Sequence, residues 1–161
     1  MLISGVVLGV VAGWATGGRI ARLGDLRISW WPLLAVAIAI RIVAPMFGDS
    51  LIAWVIGFAL IIIVALVDRH LPGMAAIASG AALNLLVVLA NGAMAVDPAA
   101  AATVGATIHS DGLHRALREG DVLTFLADRI PVAPIAGVYS VGDVFLALGG
   151  FWVPFAAMRR R

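Results

Sequence analysis

The chain has 161 residues, 63% of them hydrophobic and 12% charged, with a net charge of +2 and a mean hydropathy of +1.08. Soluble domains carry roughly a quarter charged residues, so this composition excludes an ordinary soluble domain and points to lipid as the solvent. Cysteine and lysine are absent, which excludes disulfides, thiolate metal sites, Schiff-base chemistry and a phosphate-loop lysine.

Five stretches read as membrane-crossing helices, which need about 20 apolar residues each. They run over 1–17, 30–47, 51–67, 71–90 and 135–158. Open sheet edges are not tolerated in lipid, so the expected fold is an all-α polytopic bundle, a single membrane domain over 1–161. In the first stretch Gly5, Gly9, Gly13 and Gly17 recur every four residues. Such a ridge lets another helix backbone approach closely. The neighbour is either a helix of the same chain, or a second copy or another membrane protein subunit docked on helix one. The stretch has no basic leader and its positive charges follow it, so it reads as a retained helix and not a cleaved signal peptide.

Orientation follows from arginine. Arg19, Arg22, Arg27, Arg69, Arg159, Arg160 and Arg161 fall on one side, and Arg115, Arg118 and Arg129 on the other. The richer side is expected to be cytoplasmic, which places the N-terminus out, the C-terminus in and the loop 91–134 on the outer side. Trp30 and Trp31 then sit at the inner interface as an aromatic belt. Arginines split between segment ends give no basic face for nucleic acid.

Three strongly polar residues fall within the stretches: Arg41, Asn84 and Asp143. Counted at about 1.5 Å per residue, each lies roughly 9–12 Å below the outer boundary. Intramembrane charges normally pair inside the bundle, so an Arg41–Asp143 ion pair with Asn84 beside it is expected. This layer is either a structural clasp or a polar pocket for a lipid headgroup, quinone or small solute.

The long loop is expected to hold short surface helices. Asp97-Pro98 is a helix start, since aspartate caps and proline suits the first helical position. Ser110 or Asp111 is expected to cap a second helix through Arg118, and Asp121 a third over 122–126, ended by Ile130-Pro131. His109, Asp111 and His114 do not have metal-ligand spacing, so no metal and no cofactor are expected. Asp128 with Asp121 or Glu119 is the one carboxylate pairing open to acid–base work. No G-x-S-x-G, H-E-x-x-H, phosphate loop or dinucleotide fingerprint occurs, and the reading leans away from an enzyme.

Two runs in the loop and one after it stand out. The first holds Asn91, Gly92, Met94 and Val96; the second Leu126, Asp128, Arg129, Ile130 and Pro131; the third Ser140, Gly142 and Asp143. Together with Gly17-Gly18-Arg19, they make the chain resemble an uncharacterised bacterial family of small multi-pass membrane proteins, domain of unknown function 5317. That family tends to show N-G-G-x-M-P-V, L-G-D-x-I-P and S-I-G-D runs. Ala93, Ala95 and Ala127 stand here where the family has glycine, proline and glycine. The resemblance implies a bacterial inner-membrane location and carries no established activity.

The leading functional expectation is a non-catalytic accessory or structural subunit of a larger membrane complex, or a self-associating bundle. The alternative is a small transporter, or a lipid- or quinone-binding protein or enzyme, with a polar site at the outer leaflet.

Overall fold

The structure, a computed structural model, describes residues 1–43, 51–108 and 113–160, the side chain of Arg41 excepted. Its helices are Leu2–Ala15 (α1), Trp31–Val43 (α2), Leu51–Val67 (α3), Met74–Asn91 (α4), Pro98–Thr103 (α5) and Val141–Arg159 (α6). Two of them, α4 and α6, are long and apolar enough to cross a membrane; α1, α2 and α3 are apolar but shorter. The last expected segment therefore begins at Val141 and not at residue 135.

Helix contacts follow a chain in which α1 packs on α6, α6 on α4, α4 on α3 and α3 on α2. Parallel packing of α1 and α6 follows from Gly5, Gly9 and Gly13 meeting Ala147, Phe151 and Met158 in turn. Against this, α4 runs antiparallel to α6, with Gly73 beside Gly149 and Gly80 beside Gly142. At the end of α3, Asp68 is fully buried and accepts bonds from the N–H and hydroxyl of Ser29, which leads into α2 (3.0 and 2.6 Å). The same end of the molecule gathers arginines: Arg22 donates to the Met158 carbonyl (3.3 Å) and Arg159 to that of Thr16 (3.4 Å).

The glycine ridge is used inside the chain. A Cβ on Gly5 or Gly9 would strike the backbone carbonyl of Ala147 or Phe151, so only glycine lets α1 and α6 come this close. A second copy or partner could reach that face only by displacing α6. Gly17 is not part of the ridge. It lies beyond the helix end at a φ of +84°, with nothing near its Cβ position, and serves the turn out of α1.

The long loop differs most from expectation. Asp97 does cap α5, its carboxylate accepting from the Ala99 N–H (2.9 Å) with Pro98 in the first turn. Where a helix was expected to run through Arg118, residues His114–Ala116 form a strand (β2) parallel to Met94–Val96 (β1); Ser110 and Asp111 lie outside the described residues. The buried Leu113 anchors this strand, and its carbonyl accepts from the Met94 N–H (2.6 Å). Asp121 caps nothing: the 3-10 turn Thr124–Leu126 follows Leu123, and the Asp121 carboxylate is taken by Arg115. Ile130–Val132 (β3) pairs antiparallel with Gly137–Tyr139 (β4) around a 3-10 turn at Ala133–Ile135. Pro131 and Pro134 lack N–H donors and resist helix there. The expected all-α architecture is thus a helical one with a small β-structured lid over one end.

Candidate functional site

The lid draws the three sequence runs to one place. Asp128 bridges to β1, its N–H donating to the Ala95 carbonyl and its own carbonyl accepting from the Asp97 N–H (both 2.9 Å). The Arg129 N–H donates to the Tyr139 carbonyl (3.1 Å), which ties the second run to the strand leading into the third. Runs more than thirty residues apart in sequence therefore meet over the ends of α4 and α6.

Below them lies a tight polar clasp. Ser140 is the N-cap of α6, and it forms a reciprocal capping box with Asp143. The Ser140 hydroxyl accepts from the Asp143 N–H (3.1 Å) and reaches Asn84 Oδ1 (2.9 Å), while Asn84 Nδ2 donates to Asp143 Oδ1 (3.3 Å). Ser140 and Asn84 are buried. Gly142 presses on the Asn84 side chain and the Gly80 carbonyl, leaving no room for a Cβ. The structure therefore brings Asn84 and Asp143 together, but Asp143 stands in the first turn of α6 and not eight residues inside a span. The expected partner Arg41 has its side chain outside the described residues.

Farther out, Asn91 and Gly92 end α4. Gly92 adopts a φ of +70°, the left-handed cap that glycine takes without strain. The Asn91 amide imitates a backbone pair with Val122, accepting from its N–H and donating to its carbonyl (both 2.9 Å). Arg115 also donates to the Asn91 carbonyl (3.1 Å) and grips Asp121 with two bonds (2.6 and 2.8 Å). The Arg115 hydrogen bonds, with the Arg118 N–H, pull the Asp121 carboxyl down to about 2. A depressed carboxylate contributes stability above its ordinary value and loses it as pH falls toward 2. The Asp121 side chain is 8% exposed, so Asp121→Asn is expected to cost about 2 kcal/mol of local lid stability. Hydrogen exchange over 113–122 checks this, with protection expected to fall by more than tenfold.

Between α5, β2 and β4 the lid carries an open cleft of about 220 Å³. Its walls include Val96, Ala101, Ala106 and Val138, and its polar side chains include His114 and Asp128. Asp128 is only 3% exposed, and among the described residues its Oδ1 has no hydrogen-bond partner. Its Oδ2 lies 3.9 Å from His114 Nε2, too far for a hydrogen bond. Burial, reinforced by the negative charge of Asp143, pushes the Asp128 carboxyl up to about 8. Nearby, Arg129 is engaged with Asp97 (3.1 Å). Ala136 also lines the cleft, and it holds a φ of +43°, a strained value for a residue with a Cβ.

Residues 25–155 match the model of a family described as a family of unknown function, DUF5317. The chain belongs to DUF5317. No curated protein and no solved structure matches it. The match leaves out α1, so the glycine ridge and the Gly17-Gly18-Arg19 run lie outside the matched part of this DUF5317 member. It takes in all three runs of the lid.

Asn84, Asn91, Gly92, Asp128, Arg129, Ser140, Gly142 and Asp143 all fall at this lid or the clasp beneath it in the DUF5317 chain. Pro131 lies on β3, paired with Val138 of β4. Sequence reasoning missed Arg115 and Tyr139, and gave His114 no role because its spacing to His109 and Asp111 does not suit a metal. His114 and Arg115 lie on a three-residue strand too short for a periodic signal. Asp121 was placed as a cap or an acid–base partner of Asp128, but its carboxylate is committed to Arg115. Among the described residues no three His, Cys, Asp or Glu side chains are placed to hold a metal.

Proposed function

We propose that this DUF5317 protein is a five-crossing protein of the bacterial inner membrane, N-terminus out and C-terminus in, that binds a small ligand in the cleft beneath its outer lid. The observation that carries the ligand reading is Asp128 Oδ1. Asp128 lines the cleft, and its buried Oδ1 has no hydrogen-bond partner among the described residues. An unsatisfied buried polar atom costs about 1–3 kcal/mol, and a bound donor removes that cost.

The membrane reading rests on surfaces and directions. Every long helix wears large apolar side chains outward: Ile3, Leu8 and Trp14 on α1, Ile38 and Ile42 on α2, Ile52 and Leu66 on α3, Leu86 and Leu89 on α4, Leu148 and Trp152 on α6. Soluble proteins rarely expose such a continuous apolar surface. Helix directions suit successive crossings, with the arginine-rich end opposite the lid, as the cytoplasmic bias of arginine favours.

Two observations move the functional reading away from an accessory subunit. The glycine ridge, its main support, is covered by α6. The approach to α6 is a β-hairpin and not helix, which leaves a shaped end to the bundle where a cleft forms. The Asn84–Ser140–Asp143 layer, held by its own hydrogen bonds, is read as the clasp, with the ligand site above it at Asp128. The role proposed is binding or passage.

The absence of native cysteine makes the topology directly testable. A membrane-impermeant maleimide on intact cells is expected to label Glu119→Cys, and Arg69→Cys only after permeabilisation. Labelling of both, or the reverse pattern, contradicts the orientation. For the ligand, native mass spectrometry of protein gently extracted from its own membranes is expected to show a bound small mass. That mass should fall away in Ala106→Phe, which fills the cleft. A wild-type spectrum of bare protein overturns the reading.

A further inference from the structure

We propose, resting on the membrane reading above, that the arginine-rich end of the bundle holds the phosphate of an anionic phospholipid, gripped by Arg22 and Arg160 beside the end of α6. The 3-10 turn Ile20–Asp25 lies against that end. A cavity of about 110 Å³ opens between the two, lined by Arg22, Asp25, Leu26, Ala157 and Arg160. One N–H of Arg22 donates to the Met158 carbonyl (3.3 Å), which fixes its guanidinium at this wall. The Arg19 N–H donates to the same carbonyl (3.0 Å), so the negative end of the α6 dipole is already met there. Arg22 keeps further N–H donors. Arg160 is exposed, and among the described residues its side chain makes no hydrogen bond and no ion pair.

The sign of the ligand's charge follows from which arginines are matched. At the lid, Arg115 is held by Asp121 and Arg129 by Asp97. At the opposite end, Arg19, Arg22, Arg27, Arg69 and Arg160 form no ion pair among the described residues. The carboxylates described there are Asp25, which pairs with neither wall arginine, and Asp68, which is buried and taken by both donors of Ser29. The excess charge is therefore positive, and arginine's planar fork matches a phosphate with two parallel donors. A lipid brings that phosphate to the right depth. Trp14 in the last turn of α1, Ile20 on the 3-10 turn, and Trp30 and Trp31 at the start of α2 are half or more exposed, and such tryptophans sit at headgroup level. Leu26 and Ala157 give the cavity an apolar part, which suits a glycerol ester better than a hydrated free phosphate. An ethanolamine headgroup would carry its own cation into a group of arginines, with Asp25 alone to receive it. A headgroup without a cation avoids that repulsion, as basic segments at a membrane face select anionic lipid.

The test uses the full-length protein, delipidated in mild detergent, with phosphatidylglycerol and phosphatidylethanolamine of the same acyl chains as probes, read by native mass spectrometry. An arginine beside anionic lipid is worth about fivefold in binding, so phosphatidylglycerol is expected to bind about tenfold more tightly than phosphatidylethanolamine, or better. Arg22→Gln combined with Arg160→Gln is expected to erase most of that preference and to change phosphatidylethanolamine binding little. Arg160→Gln alone is expected to lose about fivefold for phosphatidylglycerol, and it stands in should the Arg22 change upset the fold. Arg118→Gln on the lid is expected to change nothing, and an equal loss there would overturn the site in favour of overall charge. Excess glycerol 3-phosphate, which has the phosphate without acyl chains, is expected to leave the bound lipid in place. Displacement by it marks a free phosphate ester as the occupant and overturns the lipid proposal. Equal affinity for the two lipids, or variants that keep the full preference, also overturns it. The membrane reading fails separately, on the maleimide labelling pattern.

Discussion

Gly142→Val is expected to cost more than 3 kcal/mol and to leave little folded protein in mild detergent. A Cβ at this position would strike the Asn84 amide and the Gly80 carbonyl, and the nearest relief is to pull α6 away from α4. Overpacking a core site costs typically 1–3 kcal/mol. Here the displaced groups are also the clasp: the Asn84 bonds to Ser140 and Asp143 would be lost, at about 1 kcal/mol each, more where a buried polar group is left bare. Gly105→Val is a useful control, since nothing packs within 4 Å of its Cβ position, although its φ of +65° adds some backbone strain. Thermal unfolding followed by circular dichroism in detergent measures both. A Gly142→Val protein that melts within a few degrees of wild type would mean that α4 and α6 do not meet as described.

Asp128→Asn is expected to stabilise the ligand-free protein at alkaline pH and to change it little at acid pH. The sign follows from proton binding. Asp128 has a folded-state value of about 8 against an ordinary carboxyl value of 3.8. The folded state therefore holds its proton where the unfolded state has lost it, and stability declines as pH rises from about 4 to about 8. At about 1.4 kcal/mol per pH unit the loss reaches a ceiling of about 6 kcal/mol. Asparagine cannot ionise, and removes this dependence. Melting curves at pH 5, 7 and 9 check it: wild type should soften steadily while Asp128→Asn stays level. A wild-type melting point that does not fall across this range would show that Asp128 ionises freely.

The two predictions concern features of unequal visibility in the sequence. The apolar stretches, the arginine-rich end and the Asp97-Pro98 helix start were all legible, because each is encoded by neighbours in sequence. The glycine spacing was equally plain, but its partner was not. The ridge of α1 is met by the backbone of α6 at Ala147 and Phe151, more than a hundred residues away. Asn84 and Asp143 are hydrogen-bonded, but their depths were counted with the start of the last helix misplaced by six residues. That error arose because Val132, Ile135 and Val138 extend the apolar run and hide the hairpin which Pro131, Pro134 and Gly137 impose. The lid was the least legible part. Its strands are three residues long and pair across gaps of about twenty residues or, in the hairpin, around a proline turn. Helix propensity at residues 113–118 was overridden by the burial of Leu113 and the free edge of β1. Asp128 was visible as part of a run, but nothing local announced that its side chain would be buried without a partner.

The cleft beside Asp128 is where the proposed ligand would be seen. The most direct measurement is an experimental density map of the protein extracted from its own membranes with lipid retained. It is predicted to show a bound group within hydrogen-bond distance of Asp128 Oδ1, between α5, β2 and β4, above an Asn84–Ser140–Asp143 layer with no space inside it. A cleft that is closed by its own side chains, or a ligand lodged within the Asn84 layer instead, would contradict it.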